Sequence, residues 1–231
     1  MKKYLLIVIT CALLLSGCYQ FVSIDWVDFV MFNDVKYMAD HYDGGQGLSD
    51  ADLDGAYATV RFKLSGNVKN PNYRSKNGDA AFLEPGTKVY KLKNYKPEFR
   101  LAVKDGEKLK IYEAYHNTRA KTGGELLDID GKVSWIGINS DEDGITEFGS
   151  IKDDLEVLDL VNMVMQADIY NEYQGGNGRR YFLVFYMKDG TSVRRAYYMD
   201  SNYLSPGMIL PEEFQSKIAK VLKTNERSSG Q

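Results

Sequence analysis

The sequence predicts an α+β protein, in which a mainly antiparallel β region over residues 21–122 precedes a ββαββα region over residues 132–223 with helices on an antiparallel sheet. Three observations predict it. Runs of alternating apolar and polar residues meet at Asp105-Gly106, Asp143-Gly144 and Asp189-Gly190, and Asp-Gly is a favoured hairpin turn. Helical spacing of apolar residues occurs in two segments, both after residue 149. The order of the second half is hairpin, helix, hairpin, helix.

Taken in order, "FVSIDWVDFVMF" (Phe21 to Phe32) is rich in β-branched and aromatic residues and reads as a strand. "GAYATVRFKL" alternates cleanly, with Ala58, Val60, Phe62 and Leu64 on one face and Tyr57, Thr59, Arg61 and Lys63 on the other. "GDAAFLEPGTKVY" reads as strand, Pro85-Gly86 turn and strand, and "FRLAVKDGEKLKIYEAY" as a hairpin. "KTGGELLDIDG" has two glycines and little periodicity, so residues 123–131 are expected to link two domains. "KVSWIGINSDEDGITEFGSI" is the next hairpin. In "SIKDDLEVLDLVNMVMQADIY" Ile151, Leu155, Leu158, Val161, Met165 and Ile169 recur at helical spacing, and Ser150 with Asp153 resembles a capping box. "RRYFLVFYMKDGTSVRRAYYM" is a hairpin whose first strand, apolar on both faces, is expected to be central. "PEEFQSKIAKVL" reads as a closing helix with Pro211 in its first turn and Phe214, Ile218 and Val221 inward. The polar tail 224–231 is expected to be disordered. The two halves share Asp-Gly turns and no convincing repeat.

The chain opens with Lys2 and Lys3, then the apolar run Tyr4 to Leu15, then Ser16, Gly17 and Cys18. These are the parts of a secretory signal peptide over residues 1–17. The run is short of the roughly 20 residues a membrane span needs. "Leu15-Ser16-Gly17-Cys18" resembles the lipobox of bacterial lipoproteins, and the chain's general style is similar to small lipoproteins of Gram-positive, spore-forming bacteria. The resemblance implies cleavage before Cys18 and acylation of that cysteine, with residues 18–20 as the lipidated N-terminus. The partner so implied is a lipid bilayer at the extracytoplasmic face of the cell membrane. The competing reading is an ordinary signal peptide with a chance cysteine. Two acyl chains give stable attachment where one does not.

Under that reading Cys11 leaves with the signal peptide and Cys18 carries lipid, so no thiol remains for a disulfide, a nucleophile or a metal. Removing Lys2 and Lys3 from 29 basic residues leaves 27 against 32 acidic ones. That balance argues against a nucleic-acid partner and leaves anchoring to the acyl chains. Few residues separate Cys18 from the first strand, so the fold is expected close to the bilayer.

For chemistry, "DADLDG" places Asp50, Asp52 and Asp54 before Gly55, and "NSDEDG" places Asn139, Asp141 and Asp143 before Gly144. Both resemble the start of an EF-hand calcium loop. The closing glutamate of that pattern is replaced by Arg61 and Ser150, and strands follow both glycines, so calcium is a weak cofactor candidate beside the reading of solvated turns. The glycine-rich segments Gly44–Gly47 and Gly175–Arg180 have the wrong context for a phosphate loop, and no nucleotide is expected. His41 and His116 are the two histidines, each read as an exposed polar residue, and no Gly-x-Ser-x-Gly elbow or zinc helix is present. Tyrosine is abundant, at 17 residues, with Tyr170, Tyr173, Tyr181, Tyr186, Tyr197, Tyr198 and Tyr203 in the last third. Such rings build strand cores or binding faces. Two function classes remain: a non-enzymatic module that binds an envelope protein, a glycan or an ion, and an envelope hydrolase acting through carboxylates.

Overall fold

The computed structural model describes residues 24–39, 47–170 and 176–229. Cys11, Cys18, His41, Tyr173 and the proposed cleavage site lie outside them. The fold is α+β, and the described residues form two antiparallel-rich sheets and three helices.

The first sheet has eight strands: β1 (Phe29–Phe32), β2 (Val35–Ala39), β3 (Leu53–Thr59), β4 (Phe62–Lys63), β5 (Asp79–Ala80), β6 (Lys88–Leu92), β7 (Arg100–Asp105) and β8 (Lys108–Asn117). Their spatial order is β3-β6-β7-β8-β2-β1-β5-β4, antiparallel throughout except for the β4–β5 pair. The β7–β8 hairpin turns at Asp105-Gly106 as the sequence indicates. Of the strand expected over 21–32, the described part from Ile24 on forms a strand at Phe29–Phe32, which turns back at once into β2. Asn33 and Asp34 both have positive φ, of 49° and 60°, which a two-residue hairpin of this twist requires. The alternating run at 56–64 is also broken. Val60 and Leu64 are buried as predicted, but β3 ends at Thr59 and Phe62 is 38% exposed. Val60 and Gly86 close the β3 end, and the chain then crosses to pair β4 with β5.

The second sheet holds β9 (Val133–Asn139), β10 (Glu147–Ile151), β11 (Arg180–Met187), β12 (Ser192–Tyr198), β13 (Tyr203–Leu204) and β14 (Met208–Ile209), in the order β10-β9-β11-β12-β13-β14. Turns fall at Asp143-Gly144 and Asp189-Gly190, and β11 is internal, as predicted. The helices are α1 (Gly123–Leu126), α2 (Asp154–Gln166) and α3 (Glu212–Ser229). The ββαββα order is present, with the small β13–β14 hairpin added before α3.

The register of α2 differs from its prediction. Its N-cap is Asp153, whose carboxylate accepts from the amides of Leu155 (3.1 Å) and Glu156 (3.0 Å); Ser150 lies in β10. The buried stripe is Val157, Leu160, Val161 and Val164, while Leu155 and Leu158 are 76% and 47% exposed. Two apolar stripes lie side by side on this helix, and periodicity alone could not choose between them.

The segment 123–131 is not the loose connection expected from its glycines. Leu126, Leu127 and Ile129 are almost fully buried, and the Gly123 amide donates to the Ala167 carbonyl at 2.8 Å. A Cβ at Gly123 would lie 1.9 Å from the Val164 carbonyl oxygen, so that glycine serves close backbone approach to α2. The buried apolar residues form one cluster that includes Tyr37, Leu101 and Tyr112 of the first sheet, Ile136, Leu183 and Phe185 of the second, and Leu126, Leu127 and Ile129. The C-terminal helix is anchored by Phe214 and Ile218, both fully buried, and continues past Lys223 to Ser229 where a disordered tail was expected. Asn225 holds that extension by donating to the Phe148 carbonyl at 2.9 Å.

The sheets also meet through buried charge. Arg100 on β7 and Glu113 on β8 are directly opposite in register. The Arg100 guanidinium donates to Glu113 Oε1 through Nε (3.0 Å) and Nη2 (2.6 Å), and to Thr191 Oγ1 (2.7 Å) and the Ser192 carbonyl of the second sheet. Arg195 on β12 donates to Glu113 Oε2 at 2.9 Å. All three side chains are at most 7% exposed. Glu113→Ala removes one carboxylate from between two buried cations. The expected cost is about 3–5 kcal/mol, read as a lowered urea midpoint with retained circular dichroism at low denaturant.

Candidate binding surface

Side chains on the second sheet alternate between a packed and an open face. Ile136, Ile138, Leu183, Phe185, Val193 and Tyr197 point to the packed side and are essentially inaccessible. Tyr197 meets Phe214 of α3 there, edge to face at 5.6 Å. The register pairs Trp135 with Tyr186, Gly137 with Val184, Asn139 with Phe182, Val184 with Arg194, Phe182 with Ala196, and Arg180 with Tyr198. These residues share the opposite face, where Gly137, Asn139 and Val184 are buried, Trp135, Phe182, Tyr186, Arg194, Ala196 and Tyr198 are half-buried and Arg180 is exposed.

The centre of this face is a stacked pair. The rings of Trp135 and Tyr186 lie 3.6 Å apart at 10°. Gly137 makes room for them, since a Cβ there would come within 3.1 Å of the Tyr186 ring and 3.4 Å of the Trp135 ring. The Lys152 ammonium stands 5.2 Å from the Trp135 ring centre, and the Arg180 guanidinium 5.9 Å from that of Phe182. The result is a shallow aromatic surface with cations at its margin. The sequence carried one signal for it, the alternation of Phe182 with Tyr186 and of Arg194 with Ala196 and Tyr198. Continuous apolar character in β11 masked that signal, and Trp135, which reads from the sequence as a core residue of the second half, stands half-buried on this face instead.

The tyrosines of the last third divide. Tyr181, Tyr197 and Tyr203 are core residues, with burial driving the Tyr197 hydroxyl to a raised pKa. Tyr186 and Tyr198 belong to the open face, and Tyr170, 52% exposed, lies beside a small hollow lined by Tyr115, His116 and Gly207. His116 is exposed at the end of β8. A larger cleft of about 380 Å³ lies between α2 and the start of β9. Val133, Val157, Leu158 and Val161 line it, together with Asp154 and Lys188.

The two acidic loops are engaged locally. Asp50 pairs with Lys104, and Asp54 with Lys91 at 3.2 Å. Asp52 caps a three-ten turn over Asp50–Asp52 by accepting from the Ser49 amide at 2.8 Å. In the second loop Asn139 donates to the carbonyls of Gly144 and Ile145, and Asp141 pairs with Arg180 at 3.3 Å. Asp143 accepts from the amides of Ile145 and Thr146, both at 2.9 Å, and from the Thr146 hydroxyl. Among the described residues no three carboxylate, histidine or cysteine side chains converge on a metal-sized site. Among the described residues the carboxylates whose pKa is perturbed are Glu113, Asp143 and Asp189, each lowered. The Thr146 hydroxyl and the loop amides hold Asp143 at about 2. Asp189 is lowered by hydrogen bonds from Thr191 and Tyr95, against the opposing effect of burial. Glu113 is lowered by Arg100 and Arg195 although burial opposes it.

No family model, curated protein or solved structure matches the chain.

Asp143 is an acid whose folded pKa lies below its unfolded one. Its contribution to the loop is therefore present above about pH 4 and lost as pH falls through about 2. A carboxyl-detected NMR titration should place its midpoint near 2, with the Thr146 amide shifting in step. Millimolar calcium should leave the melting temperature unchanged, because binding would have to displace Lys104, Lys91, Arg180 and Thr146 from these carboxylates. A saturable rise that Asp52→Ala or Asp143→Ala abolishes is the contrary result.

Proposed function

We propose that this is an exported lipoprotein, acylated on Cys18 and held at the extracytoplasmic face of the membrane. Under this reading it works there as a non-enzymatic binding module. The observation that carries the binding reading is the open face of the second sheet. One side of β9, β11 and β12 is committed to the core, and the other offers Trp135, Phe182, Tyr186 and Tyr198 as a broad, shallow, partly accessible surface. Aromatic side chains of this kind suit an envelope glycan or an extended protein segment, since each carries large contact area at small entropic cost. Cationic side chains at the margin favour acceptor-rich partners.

The alternative of a hydrolase draws less support. Acid catalysis by a carboxyl needs a raised pKa, and the perturbed carboxylates here are lowered by cations and hydrogen bonds. The cleft between α2 and β9 has one acidic residue in its lining, Asp154. The division into a β domain and an α+β domain enters this reading only as a description of the two sheets, since they share buried apolar contacts.

Two measurements test the parts separately. Intact-mass analysis of the membrane-associated protein should find diacylglycerol on Cys18, and Cys18→Ala should release a folded protein; an unmodified cysteine there overturns the anchoring. In-cell crosslinking should capture a partner through the open face, with Trp135→Ala combined with Phe182→Ala cutting the yield about tenfold or more, as truncation of aromatic anchors does at binding hot spots. Equal capture by the double variant moves the binding site elsewhere.

A further inference from the structure

The first sheet ends in a surface of opposite character to the rest of this acidic protein. From Arg61 to Gly78 the chain carries Arg61, Lys63, Lys69, Arg74 and Lys76 and no acidic residue. Arg61, Lys69, Arg74 and Lys76 are exposed, and Lys63 is paired with Glu84 at 2.5 Å. This stretch contains β4, the terminal strand of the eight-stranded sheet, and the loop that leads from it to β5.

Beneath the cations is a separate small apolar cluster. Phe29, Leu64 and Ala81 form its buried part, and Trp26, Met31, Met38, Val68 and Tyr73 pack on it. Next to its members along the chain, Val27 is 55% exposed and Phe82 42%, and Phe62 is 38% exposed. Phe62 lies against Tyr73 with ring centres 6.5 Å apart, and the Lys76 ammonium stands 6.0 Å from the Tyr73 ring. Lys36 lies over Phe29 at 4.7 Å. Exposed aromatic residues among lysines and arginines make the composition of a membrane-interface anchor.

The position of this surface along the chain says which partner it meets. Five residues lie between Cys18 and Ile24, the first described residue, so the two can be at most about 20 Å apart. Trp26 and Phe29 follow at once and belong to the cluster. Resting on the acylation of Cys18, we propose that the β4 edge is a membrane-docking surface. Its cations would meet anionic lipid headgroups while Val27, Phe62 and Phe82 enter the interface. The acyl chains and this edge then act as two linked attachments, so that the fold is oriented on the bilayer as well as tethered to it. The net charge of the whole chain hides this, because attraction to a charged surface decays within about 10 Å at ordinary ionic strength and depends on the near face.

The test uses the chain from residue 18 onward carrying Cys18→Ala, so that no acyl group contributes and none of the described elements is lost. It is sedimented with phosphatidylcholine vesicles and with vesicles containing one-third phosphatidylglycerol. The expected result is binding to the anionic vesicles only, abolished by high salt. The triple variant Lys69→Glu, Arg74→Glu, Lys76→Glu should bind at least tenfold more weakly. The variant Phe62→Ala, Phe82→Ala should bind several-fold more weakly, and Lys220→Glu, Lys223→Glu on α3 should bind as the parent does. Unchanged circular dichroism and melting temperature identify each variant as folded. Equal binding to both vesicle types, no binding to either, or an unaffected triple variant overturns the proposal. Binding to a soluble anionic wall polymer without binding to vesicles also overturns it, in favour of a polymer site. Because the acyl group is absent throughout, failure here leaves the modification of Cys18 to its own mass measurement, and an unmodified Cys18 leaves this result standing.

Discussion

One carboxylate, Glu113, shared between Arg100 and Arg195, is the point on which the two sheets are matched. Removing three charged groups from water is expensive, and Coulomb attraction offsets that cost only where the geometry is good and the remaining donors are satisfied. Here Arg100 has four hydrogen bonds, two to Glu113, one to Thr191 and one to the Ser192 carbonyl. Arg195 adds the Arg194 and Ala114 carbonyls to its contact with Glu113, while its buried Nε has no hydrogen-bond partner among the described residues. The partners come from β7, β8 and β12, and from the turn after β11, so all of them are in reach only in one relative setting of the sheets. Apolar contacts between sheets tolerate sliding better than directional bonds do. The cluster therefore specifies arrangement more than it supplies net stability. Its surroundings continue the match outward: Tyr95 stacks under the Arg100 guanidinium at 4.8 Å and donates to Asp189 at 2.7 Å. Burial, partly offset by Arg100, pushes the Tyr95 hydroxyl up to about 12, so it remains a donor across the physiological range.

With the sheets matched in this way, the faces divide the labour. The packed side of the second sheet carries α2 and α3, and Gly123 admits the chain into close contact with the α2 backbone at Val164. That commitment leaves the Trp135–Tyr186 side without a covering helix among the described residues. A stacked pair held over Gly137 is a preorganised surface, because the rings are already fixed by each other and by Lys152. The same logic applies at the β4 edge of the first sheet. Edge strands expose unpaired backbone groups, and lysine-rich flanks discourage pairing with another chain. A basic stretch at this edge discourages strand addition.

Much of the fold was legible from local chemistry. Asp-Gly turns marked three hairpins because glycine reaches positive φ without a Cβ penalty, and Gly106, Gly144 and Gly190 have φ of 62°, 71° and 87°. Helix α3 was legible because Phe214 and Ile218 form a single apolar stripe on an otherwise polar segment. The β1–β2 hairpin was not, because Asn33-Asp34 occupies the positive-φ positions without a glycine to announce them. Leu155 and Leu158 were misassigned because α2 carries two neighbouring apolar stripes, and only docking against β9 selects Val157, Leu160, Val161 and Val164.

The sequence by itself determined the α+β class, the positions of the three Asp-Gly hairpins, and the lipobox-like start that makes Cys18 the expected acylation site. These depend on residues within a few positions of one another. Tertiary structure alone decided the rest, since each item joins residues far apart in the chain. Glu113 met Arg195 across 82 positions, and Arg100 met Thr191 across 91. Trp135 came onto Tyr186 through strand register, and Trp26 joined Leu64 and Tyr73 beneath a basic edge. The glycines of 123–131 were ambiguous for the same reason: flexibility and close packing both call for the absence of a Cβ, and only the neighbouring Val164 carbonyl distinguishes them.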